Sequence, residues 1–137
     1  MTDKVNMRPS DAIDGTRPTV LIVDDDREQA EQIGMFLSKF GIFVLIEDNG
    51  FAAVNTIRRV QPAVVLMDVR MPGLDGIKAT QLTSGPENKA KIILMSGYAD
   101  QIKRATEEEL DVFAVLDKPL ALRVLIRFIQ AALHDHD

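Results

Sequence analysis

Four short apolar runs in this chain each end on a group suited to metal or phosphate chemistry. Thr19 to Val23 leads into Asp24-Asp25-Asp26, Ala63 to Met67 into Asp68, Lys91 to Met95 into Ser96-Gly97, and Val112 to Leu116 into Asp117-Lys118-Pro119. Runs this short and this apolar read as buried strands of a parallel sheet, not as helices. A polar group directly after such a strand lies at the carboxyl edge of the sheet, where open α/β sheets bind ligands. Singly, each group has an ordinary role: a helix cap with two solvated neighbours at Asp24 to Asp26, a cap or turn at Asp68, a turn at Ser96, a surface charge at Lys118. Together they are three carboxylates, a hydroxyl and an ammonium at one edge.

Carboxylates about 4 Å apart repel by roughly 1 kcal/mol per pair in water and about 4 kcal/mol at the effective dielectric near a protein surface. Asp24, Asp25 and Asp68 therefore need protonation or a cation. An all-oxygen set with few protein ligands and room for water suits Mg²⁺ or Mn²⁺. A divalent ion offsets the repulsion and also binds phosphate oxygens. Lys118 adds a point charge for an anion and Ser96 a hydroxyl donor. The set is suited to holding a phosphoryl group beside Asp68.

The elements that position these groups can be read in order. Asp26 caps a helix, with Gln29 three residues on, and Ala30, Ile33, Leu37 and Phe40 follow its inner face until Gly41 stops it. Ile42 to Ile46 reads as a second strand, and Asn49 to Val60 as a helix with Ala53, Ile57 and Val60 on one face, closed by Pro62. After Asp68, the segment Met71-Pro72-Gly73-Leu74-Asp75-Gly76 is a shaped loop. A short helix from about Ile77 to Leu82 follows, then the strand Lys91 to Met95. A helix carrying Ile102, Ala105 and Leu110 comes next, then the strand Val112 to Leu116 and a last helix from about Leu120 to Leu133. Five strands alternating with five helices predict an α/β fold, a doubly wound five-stranded parallel sheet of the flavodoxin-like kind. Its strand order would be 2-1-3-4-5, with helices on both faces.

With 137 residues the chain is expected to form one domain from about residue 18 to 133, after a flexible leader over 1–17 and before a tail over 134–137. Its 46% apolar and 27% charged residues are those of an ordinary globular protein. The absence of cysteine excludes disulfides and thiolate metal sites. A net charge of −5, mixed along the chain, argues against direct nucleic-acid binding by this domain. No apolar run approaches the roughly 18 to 20 residues needed to cross a bilayer, and residues 1 to 17 lack a signal-peptide core. No membrane association and a cytoplasmic location are the expectation.

The strings LIVDDD, VVLMDVRMPGLDG, IILMSG and VLDKPL, in this order, resemble the receiver domain of bacterial two-component response regulators. The resemblance covers about Pro18 to Leu133. It implies that Asp68 is the phosphoacceptor, taking a phosphoryl group from a phosphohistidine of a sensor histidine kinase or histidine phosphotransfer protein. It implies that Asp24 and Asp25, with Asp68 and the backbone carbonyl of Arg70, hold Mg²⁺ (or Mn²⁺). Ser96 corresponds to the switch hydroxyl and Lys118 to the lysine that pairs with the phosphoryl group, and the Lys118-Pro119 bond to one usually cis. The output would be altered binding of a downstream protein target through the face of the fourth helix, fifth strand and fifth helix. Such a protein is a signalling switch, not an enzyme, beyond self-directed phosphoryl transfer and autodephosphorylation.

Where the family often has an aromatic residue three positions before the lysine, this chain has Val115, and strand alternation gives Phe113 the same facing. Arg70 and Tyr98 flank the site and are both large. They read either as shields that keep water from the phosphoryl group or as a solvated Arg and a surface-packed Tyr. In the last helix, Val124, Leu125, Phe128 and Ala132 form one stripe. Leu122, Ile126, Ile129 and Leu133 form a second, read partly as deep packing and partly as a homodimer or partner surface. His134 and His136 read as a frayed end, not a metal pair. Few residues follow the last helix, so the chain reads as a regulator acting by protein contact or as part of a longer protein. Two other classes stand beside this reading. A phosphatase of the haloacid-dehalogenase type uses an aspartate nucleophile on the first motif and a later acidic pair, whereas here Asp24-Asp25-Asp26-Arg27 leads to Glu28 and no such pair follows Lys118. A binding module that has lost phosphorylation would not require every acidic, hydroxyl and amine group to be present.

Overall fold

The computed structural model describes residues 18–98, 103–104 and 110–134. Five parallel strands, β1 (Thr19–Val23), β2 (Phe43–Glu47), β3 (Val64–Asp68), β4 (Lys91–Ser96) and β5 (Ala114–Asp117), form one sheet in the order β2-β1-β3-β4-β5. This is the predicted order. Four helices complete the described fold: α1 (Arg27–Ser38), α2 (Gly50–Val60), α3 (Gly76–Thr83) and α4 (Leu122–His134). The expected helix between the fourth and fifth strands lies mostly outside the described residues; Lys103 and Arg104 within it are helical. The expected leader over 1–17 and most of the tail also lie outside them.

Successive strand residues point to opposite faces, so a sheet buried on both sides divides its apolar residues between two cores. Val20, Ile22, Val64, Leu66, Ile93 and Met95 join Ala30, Ile33 and Leu37 of α1 and Leu125, Ile126, Ile129 and Ala132 of α4. Leu21, Val23, Val65, Met67, Ile92 and Leu94 join Ala53, Val54 and Ile57 of α2 and Ile77 and Ala79 of α3. The two central strands are buried throughout, which fixes the height at which their last residues reach the sheet edge. Asp68 is in register with Met95, and Ser96 with Asp117.

The first three helices are capped from their own sequence. Asp26 Oδ1 accepts from the Gln29 N–H at 3.2 Å, Asn49 Oδ1 from the Ala52 N–H at 2.8 Å, and Asp75 Oδ1 from the Lys78 N–H at 2.8 Å. Such caps satisfy donors that the first helical turn leaves unbonded. The Lys118-Pro119 peptide is cis. No helix among the described residues is long and apolar enough to cross a membrane.

Several boundaries differ from those read in the sequence. β2 begins at Phe43, one residue late, because the ladder with β1 starts at the Thr19–Phe43 pair. β4 runs on to Ser96. β5 begins at Ala114, not Val112, because the Val112 N–H turns back to the Leu110 carbonyl and pairing with β4 starts at Ala114. Phe113 therefore lies ahead of the strand and packs toward the α1/α4 core while Val115 packs toward the other, so the two do not share a facing.

Phe40 was expected on the inner face of the first helix, yet it is 48% exposed. α1 ends at Ser38, a turn carries the chain through Gly41 at φ +77°, and Phe40 rests edge-on against Phe36 with ring centroids 5.3 Å apart. In α4 the buried stripe is Leu125, Ile126, Ile129 and Ala132, with Val124 on the surface. Ile126 and Ile129, assigned from sequence to a second stripe, are core residues because α4 packs on both the sheet and α1.

Candidate functional site

The carboxyl ends of β1, β3, β4 and β5 surround a cleft of about 480 Å³ lined by Asp25, Asp68, Arg70, Met71, Pro72, Gly97, Tyr98 and Lys118. Of the six residues expected here, Asp25, Asp68, Arg70 and Lys118 line it directly. Asp24 lies beneath, 1% exposed. Ser96 is buried and does not line the cleft: its hydroxyl donates to the Tyr98 carbonyl and accepts from the Tyr98 N–H, both at 3.0 Å. Strand position alone places Ser96 at the edge; this two-residue turn decides where its oxygen points.

Carboxylate oxygens of Asp24, Asp25 and Asp68 lie within 4.8 Å of one another. Lys118 Nζ stands 2.9 Å from Asp68 Oδ2 and 3.9 Å from Asp24 Oδ2. Asp24 Oδ1 accepts the Asp26 N–H at 2.9 Å, while its Oδ2 is buried with no hydrogen-bond donor among the described residues. Burial pushes the Asp24 carboxyl up to about 6, the Asp26 N–H lowers it, and the Asp68 charge raises it again. A buried carboxylate oxygen lacking a donor, beside two more carboxylates, fits a hard divalent cation through oxygen ligands. The acidic pocket can therefore hold a metal ion.

The loop after β3 forms one wall of the cleft. Its return is closed by the Gly76 N–H donating to the Val69 carbonyl at 2.8 Å, and a Cβ on Gly76 would run into the Asp68 carbonyl oxygen. Only glycine lets α3 begin against the backbone of the central aspartate. The sequence shows Gly76 as a loop glycine, but its close approach is a tertiary fact. A Cβ on Gly50 would likewise collide with the Leu74 carbonyl of the same loop. Above the cleft, the Arg70 guanidinium lies over the Tyr98 ring, 4.8 Å from its centroid. Such a cation–π contact contributes about 0.5–1 kcal/mol at an exposed site. The two flanking residues singled out in the sequence are thus in contact with each other.

The response regulator receiver domain profile matches residues 20–130 of the chain. The chain belongs to that family. It is 34% identical over 116 residues to protein PilH of Pseudomonas aeruginosa, covering 83% of this chain and 96% of PilH. It is 33% identical over 122 residues to the autoinducer 1 sensor kinase/phosphatase LuxN of Vibrio campbellii, covering 85% of this chain and 14% of LuxN. Several curated relatives are much longer, and the chain spans about a quarter or less of their length. A CheY-like receiver domain protein from Methanospirillum hungatei superposes with a TM-score of 0.81 at 22% identity, covering 88% of this chain and 97% of that one. This receiver is a signalling domain of two-component systems, and its relatives include both response regulators and sensor kinases.

Proposed function

We propose that this receiver accepts a phosphoryl group on Asp68 from a sensor kinase or phosphotransfer histidine in the cytoplasm, and that the modified state changes its binding to a downstream protein. The observation that carries this reading is the Asp68 carboxylate: it opens to the cleft, lies within 4.8 Å of the Asp24 and Asp25 oxygens, and has the Lys118 ammonium 2.9 Å away. An Asp68 oxygen attacks the phosphorus of the phosphoramidate. The O–P bond forms as the P–N bond breaks, and the electron pair returns to the imidazole nitrogen. A Mg²⁺ ion held by Asp24, Asp25, Asp68 and the Arg70 carbonyl would supply positive charge to the transferring phosphoryl oxygens.

The chain's own residues do the rest. Lys118 needs only to turn from the carboxylate to the added phosphoryl oxygens, keeping an anionic partner. Ser96 must leave the Tyr98 backbone to donate to the same group, which couples phosphoryl capture to the loop after β4. Moving a two-state element from 1:99 to 99:1 takes about 5.5 kcal/mol of differential interaction. One ion pair and one hydroxyl bond supply part of that, so the partner completes the shift. The exposed Leu122 and Val124 of α4 belong to the face through which a partner or second copy would act.

Incubating the full chain with a small acyl phosphate or phosphoramidate and reading its intact mass tests the reading. One phosphoryl addition that requires a divalent cation is expected; no addition under any cation condition would overturn it in favour of a phosphorylation-independent binding module. Catalytic turnover of phosphomonoesters would instead support the phosphatase class.

The Arg70–Tyr98 stack covers one side of the cleft and should slow water's approach to the aspartyl phosphate. Arg70→Ala and Tyr98→Ala are each expected to speed phosphoryl loss several-fold, followed as decay of the phosphorylated mass after donor removal. Unchanged decay in both would leave the stack no shielding role.

A further inference from the structure

β2 is an edge of the sheet, with no described strand beyond it. The Phe43 N–H donates to the Pro18 carbonyl and the Glu47 carbonyl accepts the Asp24 N–H, so Phe43, Leu45 and Glu47 turn their main chain toward β1. Val44 and Ile46 therefore turn their N–H and C=O groups outward, where no described residue bonds to them. From Phe43 to Ile46 the strand has none of the charged residues or prolines that usually blunt an edge.

α1 overhangs this edge. A Cβ on Gly34 would lie 3.1 Å from Val44 and 3.7 Å from both Ile22 and Ile46, which puts the helix over the β1–β2 pair and Gly34 level with Leu45. Gln29 and Ile33 face the groove shared with Leu122 and Leu125 of α4. The opposite flank of α1, with Glu31 and Met35, therefore faces the open edge, and Met35 is 61% exposed there.

We infer that a second copy of this chain docks on this edge, β2 pairing antiparallel with β2 of the second copy about a two-fold axis at Leu45. With Leu45 on the axis, Val44 stands opposite Ile46 of the second copy, and opposed residues whose main chains face each other exchange both N–H···O bonds. Each α1 lies over its own two-strand pair, so the two helices come to rest two strand spacings apart, roughly 9 to 10 Å, within the usual helix-packing distance of about 8 to 10 Å. Because Gly34 is level with the axis, Met35 meets Met35 of the second copy. One turn to either side, Glu31 faces Lys39 of the second copy, and Lys39 faces Glu31. Glu31 already has Arg27 at 3.6 Å on its own helix, and Lys39 adds a second cation. A parallel arrangement would set Glu31 against Glu31 and Lys39 against Lys39, so the charges select the antiparallel one. β2 contributes nothing to the cleft, and the contact is independent of the receiver function proposed above.

Sedimentation equilibrium of the full chain, without phosphodonor or metal and over a wide range of concentration, tests the inference. A monomer–dimer equilibrium is expected. Glu31→Lys and Lys39→Glu each set like charges across the axis at two places and should weaken the dimer about ten-fold. Mixed in equal amounts, the two single variants should recover a heterodimer about as tight as the native dimer, since each copy supplies the charges the other lacks. Met35→Glu, at an exposed position, should leave only monomer. A native chain that stays monomeric at every concentration, or a dimer that neither charge reversal weakens, would overturn the inference and leave the edge to a partner of another kind. Failure of the mixture to recover, with both variants melting as the native chain does, would overturn it equally.

Discussion

Asp24→Asn is expected to raise the melting temperature of the metal-free protein at pH 7 by several degrees and to abolish the further rise that Mg²⁺ gives the native chain. Asp24 is 1% exposed, its Oδ2 lacks a donor among the described residues, and burial pushes its carboxyl from 3.8 up to about 6. A carboxyl whose folded value lies above its unfolded value favours folding only while protonated. Its cost to the fold is absent below about pH 4, grows as pH rises, and is complete above about pH 6. At about 1.4 kcal/mol for each pH unit of displacement, that cost is of order 3 kcal/mol.

Asparagine removes the charge and keeps an oxygen for the Asp26 N–H, so the variant should gain stability at pH 7 and gain little at pH 4. The same substitution deletes a hard anionic ligand. A saturating cation stabilises by roughly 2.7 kcal/mol at a hundred-fold excess over its dissociation constant, and that increment should disappear. Thermal melts at pH 4 and pH 7, with and without Mg²⁺, measure all four quantities. Destabilisation at pH 7 without metal would mean that the Asp24 charge is already compensated by Lys118.

Lys118→Met should act with the opposite sign. Methionine keeps much of the apolar stem while deleting the ammonium that stands 2.9 Å from Asp68 and 3.9 Å from Asp24. Three clustered carboxylates then lose a neutralising cation. Breaking a buried charge pair costs about 3–5 kcal/mol, and less applies here because the lysine side chain is 25% exposed. The metal-free variant should therefore melt lower than the native chain, with the loss largest above pH 6. Mg²⁺ should bind several-fold more tightly, because the ammonium and a divalent ion would both be drawn to the same carboxylate cluster and would repel each other there. Calorimetric titration of Mg²⁺ separates this from an organising role for Lys118, which would make the variant bind Mg²⁺ more weakly.

The parts of the fold that could be read from sequence are those set by short-range chemistry. Runs such as Thr19–Val23 and Val64–Met67 alternate between two cores, and helices on both faces of a parallel sheet bury them. The order of the strands follows from crossover geometry, and Asp24, Asp25, Asp68 and Lys118 then reach one edge because each stands at or just past the end of a strand.

Other features depended on a turn or a packing angle. Ser96 stands at the predicted edge, yet its oxygen is held by the Tyr98 backbone, a choice made by local dihedrals. Phe40 leaves the helix face because α1 ends two residues earlier than its apolar spacing implies. Ile126 and Ile129 are buried because α4 meets both the sheet and α1, and a helical wheel does not show how wide that double contact is. Gly76 and Asp75 look like ordinary loop residues until the Asp68 carbonyl and Arg104 are placed beside them.

The identity of the modified residue is the measurement that bears most directly on the proposed chemistry. The full chain would be treated with a small acyl phosphate and Mg²⁺, reduced with borohydride, digested and mapped by mass. An acyl phosphate is reduced where a free carboxylate is not, so the account predicts conversion of the Asp68 side chain to homoserine, dependent on Mg²⁺ and absent in Asp24→Asn. Reduction at Asp24 or Asp25 with Asp68 intact, or no reduced residue at all, would contradict it.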